Sequence, residues 1–515
     1  MQNFQILWAD DEIDLLKPHI LFLKQKGYEV TPVNNGSDAL DMFQDKNFDV
    51  IFLDENMPGM SGLETLAQMK SLKPHIPVVM ITKSEEEHIM EEAIGAKISD
   101  YLIKPLNPNQ ILLSVKKILE NKRIISEKTN LNYQQDFRNL AMAFSDNLDF
   151  EEWAEVYKKL VHWELALEQS ADRSMQEVLE MQKSEANTNF VRFIKKHYED
   201  WLNNPNTTRP LLSHQVFKKK VFPYLQDNTF FLLIDNLRYD QWQTLSPLIG
   251  EYFNIKEESL YYSILPTTTA YARNAIFSGM MPSDMAKYFP QWWKEEDDDE
   301  GKNLHEEDFL RKQLERNQID KKVSYHKIIT NTQGKNLVEH FKNLLYNDLN
   351  VIVYNFVDML SHARTDMQMI RELAPDESAY RSLTKSWFMH SPLLELIQKI
   401  SEAKAQLIIT TDHGTIRVKR PFKIIGDKNV NTNLRYKQGK NLSFEGGQVY
   451  EVRKPERLFL PKPNISTSYV FALEDYFFAY PNNYNYYVSY FKDTFQHGGI
   501  SLEEVIIPYV RLVAK

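Results

Sequence analysis

The sequence predicts a multidomain α/β protein of 515 residues: a doubly wound parallel sheet first, an α-helical middle, and a second α/β domain last. Three observations predict it. Over 1–120, short apolar runs ending in acidic, Pro or Ser/Thr residues alternate with amphipathic stretches, the rhythm of a parallel sheet with crossover helices. Between Pro108 and Pro205 there is neither Gly nor Pro. From Leu211 onward the strand–helix rhythm returns.

In the first segment QILWAD, FDVIFLDENMP, PVVMITKS and SDYLI are the strand-like runs. In the middle, Trp153, Val156, Tyr157, Leu160, Val161 and Trp163 recur at helical spacing, as do Phe190, Phe193, Ile194 and Trp201. They predict a helical bundle or spacer. NNPNTTRP (203–210) reads as a boundary loop. Beyond it TFFLLID (229–235), NVIVYNFVD (350–358) and AQLIITTD (405–412) are strand-like, and EEDDDEG (295–301) reads as an exposed insertion. The expected domains are 1–120, 121–205 and 206–515.

Composition narrows the function classes. With 43% hydrophobic and 26% charged residues the chain reads as an ordinary globular protein. A net charge of −10 weighs against a nucleic-acid coat. The absence of Cys excludes disulfides, Cys-ligated zinc and a thiol nucleophile. The start has no signal-peptide pattern and no apolar run is long enough to cross a bilayer, so a cytoplasmic, non-spanning protein is expected.

In open α/β sheets, ligands bind at the carboxyl ends of strands. Asp10 and Asp11 follow QILWA, Asp54 follows FDVIFL, Thr82 closes PVVMI, and Lys104 follows SDYLI and precedes Pro105. Each alone is an ordinary strand-end residue; five in register are not. With DENMPGMSG, ITKS and YLIKP in order, the set resembles the receiver family of two-component response regulators over the whole of 1–120.

That resemblance implies a flavodoxin-like (CheY-like) fold, a partner sensor histidine kinase, and phosphorylation of Asp54, a carboxylate nucleophile. It implies Mg²⁺ on Asp10, Asp11, Asp54 and the backbone carbonyl of Asn56, all hard oxygen donors. Lys104 would neutralise the phosphoryl oxygens, Thr82 would hydrogen-bond them, and Tyr101 would be the switch aromatic. Lys104–Pro105 is a candidate cis peptide.

In the last segment Asp235 ends TFFLLID, Asp358 ends NVIVYNFVD, and His362 follows Asp358 by one helical turn. Asp412-His413-Gly414 follows AQLIITT, and His497 lies in FQHGG. Three Asp and three His are donors enough for two zinc ions. LPTTTAYARNAIFSG sets Pro and three Thr ahead of a helical pattern, where a hydroxyl meets the helix dipole and any bound anion. Singly these are turn residues, caps and surface histidines.

As an ordered set over 211–515, they resemble the PglZ branch of the alkaline phosphatase superfamily. The resemblance implies one zinc on Asp358, His362 and His497, and a second on Asp235, Asp412 and His413 together with a nucleophilic Thr. Thr269 is the nucleophile by register, Thr268 is the alternative, and Thr267 is the expected helix cap. Arg273, four residues after Thr269, would share its helix face and bind a non-bridging oxygen; Asn274 is a second candidate. The implied reaction is in-line displacement at phosphorus through a phosphothreonine.

Residues 415–440 carry eight basic residues (Arg417, Lys419, Arg420, Lys423, Lys428, Arg435, Lys437 and Lys440) against one acid, Asp427. Phe422, Tyr436 and Phe444 lie among them. A short or cyclic oligonucleotide would suit such a stretch, and so would solvent around a basic loop. The stretch tilts the reading toward a phosphodiesterase over a phosphomonoesterase; the lack of Cys disfavours a sulfatase.

The three-part arrangement resembles the PorX-type response regulators, a Bacteroidota group tied to type IX secretion and gliding motility. This resemblance implies an inner-membrane histidine kinase and an alternative sigma factor as partners. Receivers commonly switch by dimerising, so a homodimer is expected on phosphorylation of Asp54. No helix-turn-helix is recognisable, which argues against direct DNA binding. The alternative is a non-catalytic metal-binding scaffold for a protein partner.

Overall fold

The computed structural model describes residues 4–73, 76–83, 98–144, 147–168, 174–226, 228–294, 303–366, 374, 376–426 and 431–515, without the side chains of 120–128, 174 and 362–366. The chain forms two compact units, Met1–Asn132 and Tyr133–Glu168 with Arg173–Lys515.

The first unit holds five strands, β1 (Phe4–Ala9), β2 (Tyr28–Val33), β3 (Val50–Asp54), β4 (Val78–Thr82) and β5 (Asp100–Ile103). They run parallel in the order β2–β1–β3–β4–β5, the flavodoxin-like order. Central β3 and β4 are buried along their whole length, as a sheet covered on both faces requires. Leu7, Ala9, Ile51 and Leu53 face one core, and Ile6, Trp8, Val50 and Phe52 face the other. β2, with Pro32 and Glu29 in YEVTPV, escapes the apolar-run reading because it is an edge strand, where Pro is tolerated.

The loop after Asp54 is pinned by a capping box. The Ser61 hydroxyl accepts from the Glu64 amide, and the Glu64 carboxylate accepts from the Ser61 amide. Gly62 follows, and a Cβ there would lie 2.2 Å from the Asp54 carbonyl oxygen, so glycine is required for the close approach.

The helix Pro108–Ala143 begins in the first unit, and its last residues belong to the second. In the second unit, helices Phe150–Glu168 and Ser174–Asn203 bury the expected apolar positions, with Phe193 only partly covered. Their core is not separate. Trp153, Phe190 and Trp201 belong to the same buried cluster as Tyr262, Leu232 and Ile409, and Trp201 meets Tyr262 edge-on at 5.6 Å.

The main sheet contains β6 (Thr229–Ile234), β7 (Phe253–Tyr262), β8 (Val323–Ile328), β9 (Leu349–Tyr354), β10 (Gln406–Thr410) and the C-terminal strand Ile506–Ala514. The order is β7, C-terminal strand, β10, β6, β9, β8. β10, β6, β9 and β8 are parallel, and the C-terminal strand runs antiparallel to both of its neighbours. The short pair Ile416–Arg417 and Phe495–Gln496 brings the segment after His413 beside the one before His497. The insertion 295–301 lies outside the described residues. Among the described residues no helix is long and apolar enough to cross a membrane.

Candidate active site

Parallel β6, β9 and β10 end together, since Leu233 is in register with both Val353 and Thr410. Asp235 follows β6 and its amide donates to Tyr354 O at 2.9 Å. Asn236 then takes φ 61°, a left-handed conformation that Asn tolerates better than most residues. This turns its amide N–H toward Asp412 Oδ1 at 3.3 Å and its side-chain amide toward Asp358 Oδ1 at 3.3 Å. Asn236 was missed in the sequence, although it follows a strand-end Asp directly.

Asp235, Asp412 and His413 are all buried, and each places a donor atom within 4.8 Å of the others. His413 Nε2 lies 3.9 Å from Asp235 Oδ1 and 3.7 Å from Asp412 Oδ2. His413 Nδ1 lies 3.1 Å from Gly414 O, so Nδ1–H donates there and Nε2 keeps its lone pair for the site. Asp235 Oδ1 is buried without a hydrogen-bond partner. An unsatisfied buried carboxylate oxygen beside an imidazole lone pair is costly by itself and suits a divalent cation. The donor set therefore fits a metal.

The second expected set is partly in view. His497 Nε2 lies 3.5 Å from Asp358 Oδ1, and the His497 and His413 rings stack with centroids 4.3 Å apart. Asp358 is not at a strand end: β9 stops at Tyr354, and Asp358 sits in the first turn of helix Phe356–Asp366. The backbone of His362 lies one turn further along that helix, and its side chain lies outside the described residues.

The three threonines differ in role. Thr269 is partly exposed, and its Oγ1 lies 3.2 Å from His413 Nε2. Thr268 is buried and its hydroxyl has no partner. Thr267 is not the cap expected of it. The helical turn begins at Thr269 with Thr268 before it, while Thr267 Oγ1 donates to Gly499 O at 2.9 Å and accepts from the Gly498 amide at 3.1 Å. Thr267 thus ties the threonine loop to the HGG segment.

Arg273 also departs from expectation. It is fully buried and ion-paired to Asp235, to Asp412 Oδ2 at 2.9 Å and to Glu306 Oε1 at 3.4 Å. Its guanidinium is engaged by carboxylates rather than free for a substrate oxygen. Burial opposes ionisation of Asp412, yet Arg273 and His413 hold its carboxyl below the usual range, whereas burial prevails at Asp235 and pushes it up. Asn274 is likewise committed, donating to Ala270 O and to Asn303 Oδ1. Glu306, far away in sequence, carried no motif by which to find it.

The basic stretch is not one free cationic surface. Arg435 is buried against Glu504 at 2.7 Å, Arg420 pairs with Glu474 and Asp475, and Arg417 pairs with Asp493 at 3.1 Å. Lys419 lies 3.4 Å from Glu180, and the buried Lys437 donates to Asn431 O. Phe422 and Tyr436 are buried in the core and cannot stack bases, and Phe444 packs beside Phe422. Lys423 and Lys440 remain exposed; Lys428 and Asp427 lie outside the described residues.

In the first unit Lys104 Nζ bridges two strand-end carboxylates, at 2.6 Å from Asp54 Oδ1 and 3.0 Å from Asp10 Oδ2. The Asn56 amide donates to Asp54 Oδ2 at 3.1 Å. Burial raises the Asp54 carboxyl above its ordinary range, although Lys104 pulls it back. Asp10, Asp11 and Glu12 place donor atoms within 4.8 Å of one another, a set that fits a hard cation. Glu12 was not singled out in the sequence. Thr82 hydrogen-bonds Glu55, Tyr101 packs at the edge of the core, and Lys104–Pro105 is cis as anticipated.

The family model of the BREX system PglZ alkaline phosphatase-like domain matches residues 216–512. The chain belongs to the PglZ family. A response regulator receiver domain model matches 6–116 and a PorX response regulator linker domain model matches 123–202. Receiver, linker and PglZ domain together are the PorX-type architecture.

Curated relatives match only part of the chain. Transcriptional regulatory protein ZraR of Escherichia coli O157:H7 is 34% identical over 127 residues, 25% of this chain and 29% of that protein. Transcriptional regulatory protein ResD of Bacillus subtilis is 29% identical over 147 residues, 28% of this chain and 60% of that protein. The chain thus covers less than two thirds of these relatives. Among solved structures, a receiver domain protein (CheY-like) from Methanospirillum hungatei is 26% identical and covers 23% of this chain and 96% of its own, with a TM-score of 0.23.

Proposed function

We infer that the protein is a response regulator whose PglZ domain is a zinc-dependent phosphodiesterase acting on oligonucleotides or cyclic nucleotides. The observation that carries the catalytic reading is the 3.2 Å approach of the Thr269 hydroxyl to His413 Nε2, beside the buried Asp235 and Asp412 carboxylates. Asp235, Asp412 and His413 would hold one zinc ion with Thr269, and Asp358, His362 and His497 a second. Bound there, the ions would lower the pKa of the hydroxyl and offset charge on phosphoryl oxygens.

Thr269 Oγ is the nucleophile: its bond to phosphorus forms as the ester P–O bond breaks, and water then cleaves the phosphothreonine. Arg273 supports the diester over the monoester. Its guanidinium is ion-paired to Asp235, Asp412 and Glu306. No spare guanidinium is left for the second negative charge of a monoester, whereas a diester carries one charge. The basic stretch no longer supports this choice.

In the receiver, Mg²⁺ would sit on Asp10, Asp11, Asp54 and the Asn56 carbonyl, with Glu12 adjacent. Lys104 would neutralise the phosphoryl group on Asp54, and Thr82 and Tyr101 would report its arrival. Phosphorylation would favour a homodimer. The PorX-type architecture supports a place in the control of type IX secretion and gliding, with an alternative sigma factor as a further partner.

The test is zinc content together with turnover of bis(p-nitrophenyl) phosphate and p-nitrophenyl phosphate by wild type and Thr269→Val. Two zinc ions per chain, preference for the diester and loss of turnover in the variant are expected. Preference for the monoester would overturn the diester reading. Full turnover in the variant would overturn the role of Thr269, and a protein that takes up no metal would sink the whole assignment.

A further inference from the structure

The helical segment of the second unit holds a cavity of about 790 Å³ that the proposed catalysis does not use. Its size suits a small molecule, for which pockets run from about 300 to 1,000 Å³. The start of helix Phe150–Glu168, the second half of helix Ser174–Asn203 and the turn at Thr207 line it. Its aromatic side presents the half-buried Phe150, Phe193 and His197, with the buried Trp153 and Trp201 behind them. The His197 and Trp201 rings stack with an interplanar angle of 22°, and the Phe193 centroid lies 4.9 Å from that of His197.

The charge is one-sided. Arg192 and Lys196 stand one helical turn apart on the lining, both exposed, and neither has an acidic partner among the described residues. Arg192 donates only to Asn189 Oδ1, at 3.3 Å. Asp149 is the one acid of the lining, and its Oδ1 is taken by the amides of Glu151 and Glu152 at 2.8 and 2.9 Å.

We propose that this cavity binds a nucleotide, with its base against Phe150, Phe193 and His197 and its phosphate on Arg192 and Lys196. Aromatic faces accept any base by stacking, and guanidinium and ammonium groups bind phosphate through charge-assisted hydrogen bonds. Asn147 and Thr208 offer polar groups to the sugar. Among the described residues no group of Asp, Glu and His that could hold a metal lines the cavity, so the nucleotide is a bound effector there and not a substrate.

The test titrates AMP into the full chain carrying Thr269→Val, using equilibrium dialysis. The same titration is made with Arg192→Glu/Lys196→Glu added, and with Asp235→Asn/Asp412→Asn added. One AMP per chain is expected, weakened at least about tenfold by the Arg192/Lys196 pair and unaffected by the Asp235/Asp412 pair. Adenosine and inorganic phosphate should each bind more weakly than AMP. Absence of saturable binding, equal binding with both cations reversed, or loss of binding in the Asp235/Asp412 variant would each overturn the proposal. Zinc content and diester turnover of the otherwise wild-type Arg192→Glu/Lys196→Glu chain should be unchanged, which keeps this result separate from the catalytic reading.

Discussion

Lys183 Nζ lies 2.6 Å from Glu164 Oε2, joining two helices of the linker through a largely buried ion pair. Glu164 also reaches Arg381 at 2.7 Å, and Arg381 reaches Asp240 at 2.7 Å. Asp240 in turn holds Arg238, three residues after Asp235. Burial disfavours the Glu164 charge, but Lys183 and Arg381 outweigh it and hold its carboxyl far below the usual range. The linker is thereby wired by charge to the loop that carries the candidate metal ligands.

Removing one partner leaves the other charged and buried. Glu164→Ala and Lys183→Met should each lower the free energy of unfolding by about 3–5 kcal/mol, and the double variant by clearly less than the sum. Urea denaturation of the full chain reads this. Strictly additive losses would mean that the pair is not coupled.

The buried Thr268 hydroxyl has no partner, and Val has nearly its shape. Thr268→Val should keep diester turnover and gain about 1 kcal/mol of stability, since it removes an unsatisfied polar group. A collapse of turnover with intact folding would move the nucleophile from Thr269 to Thr268.

His214 is pulled down from 6.5 to about 4, first by burial and then by Arg209 and Lys219. The folded state therefore keeps it neutral where the unfolded chain would protonate it. Its contribution to stability is fully present above 6.5 and is lost as pH falls toward 4, at up to about 1.4 kcal/mol per pH unit. Chemical denaturation at a series of pH values should show a shallower decline over that window for His214→Gln than for wild type. Equal slopes would assign the acid sensitivity elsewhere.

Asp54→Ala removes the carboxylate that Lys104 holds at 2.6 Å. Acetyl phosphate with Mg²⁺ should shift wild type toward a dimer on gel filtration and leave the variant unmoved. A variant that still dimerises on addition of the phosphodonor would uncouple association from this residue.

The receiver was legible because its signals are local. Asp54 and Thr82 each close a strand and Asp10 and Lys104 each follow one directly, and parallel pairing brings strand ends together without any long-range choice. The edge strand β2 was not, because its Pro32 breaks the apolar run and only its place at the sheet edge makes it tolerable. In the second unit the same logic singled out Asp235, Asp412, His413 and Thr269, whose side chains the fold brings together. It misplaced Asp358, since a strand and the first turn of the following helix form one continuous apolar run in sequence.

By itself the sequence determined which residues could do chemistry at the strand ends, since motif and periodicity are properties of neighbours along the chain. Only the tertiary structure decided which charges are spent. Arg273 faces Asp235, Asp412 and Glu306, Arg435 faces Glu504, and Glu164 faces Lys183 and Arg381. Most of those partners lie tens to hundreds of residues apart, and a charge buried away from water must find its counter-charge in space, not in sequence.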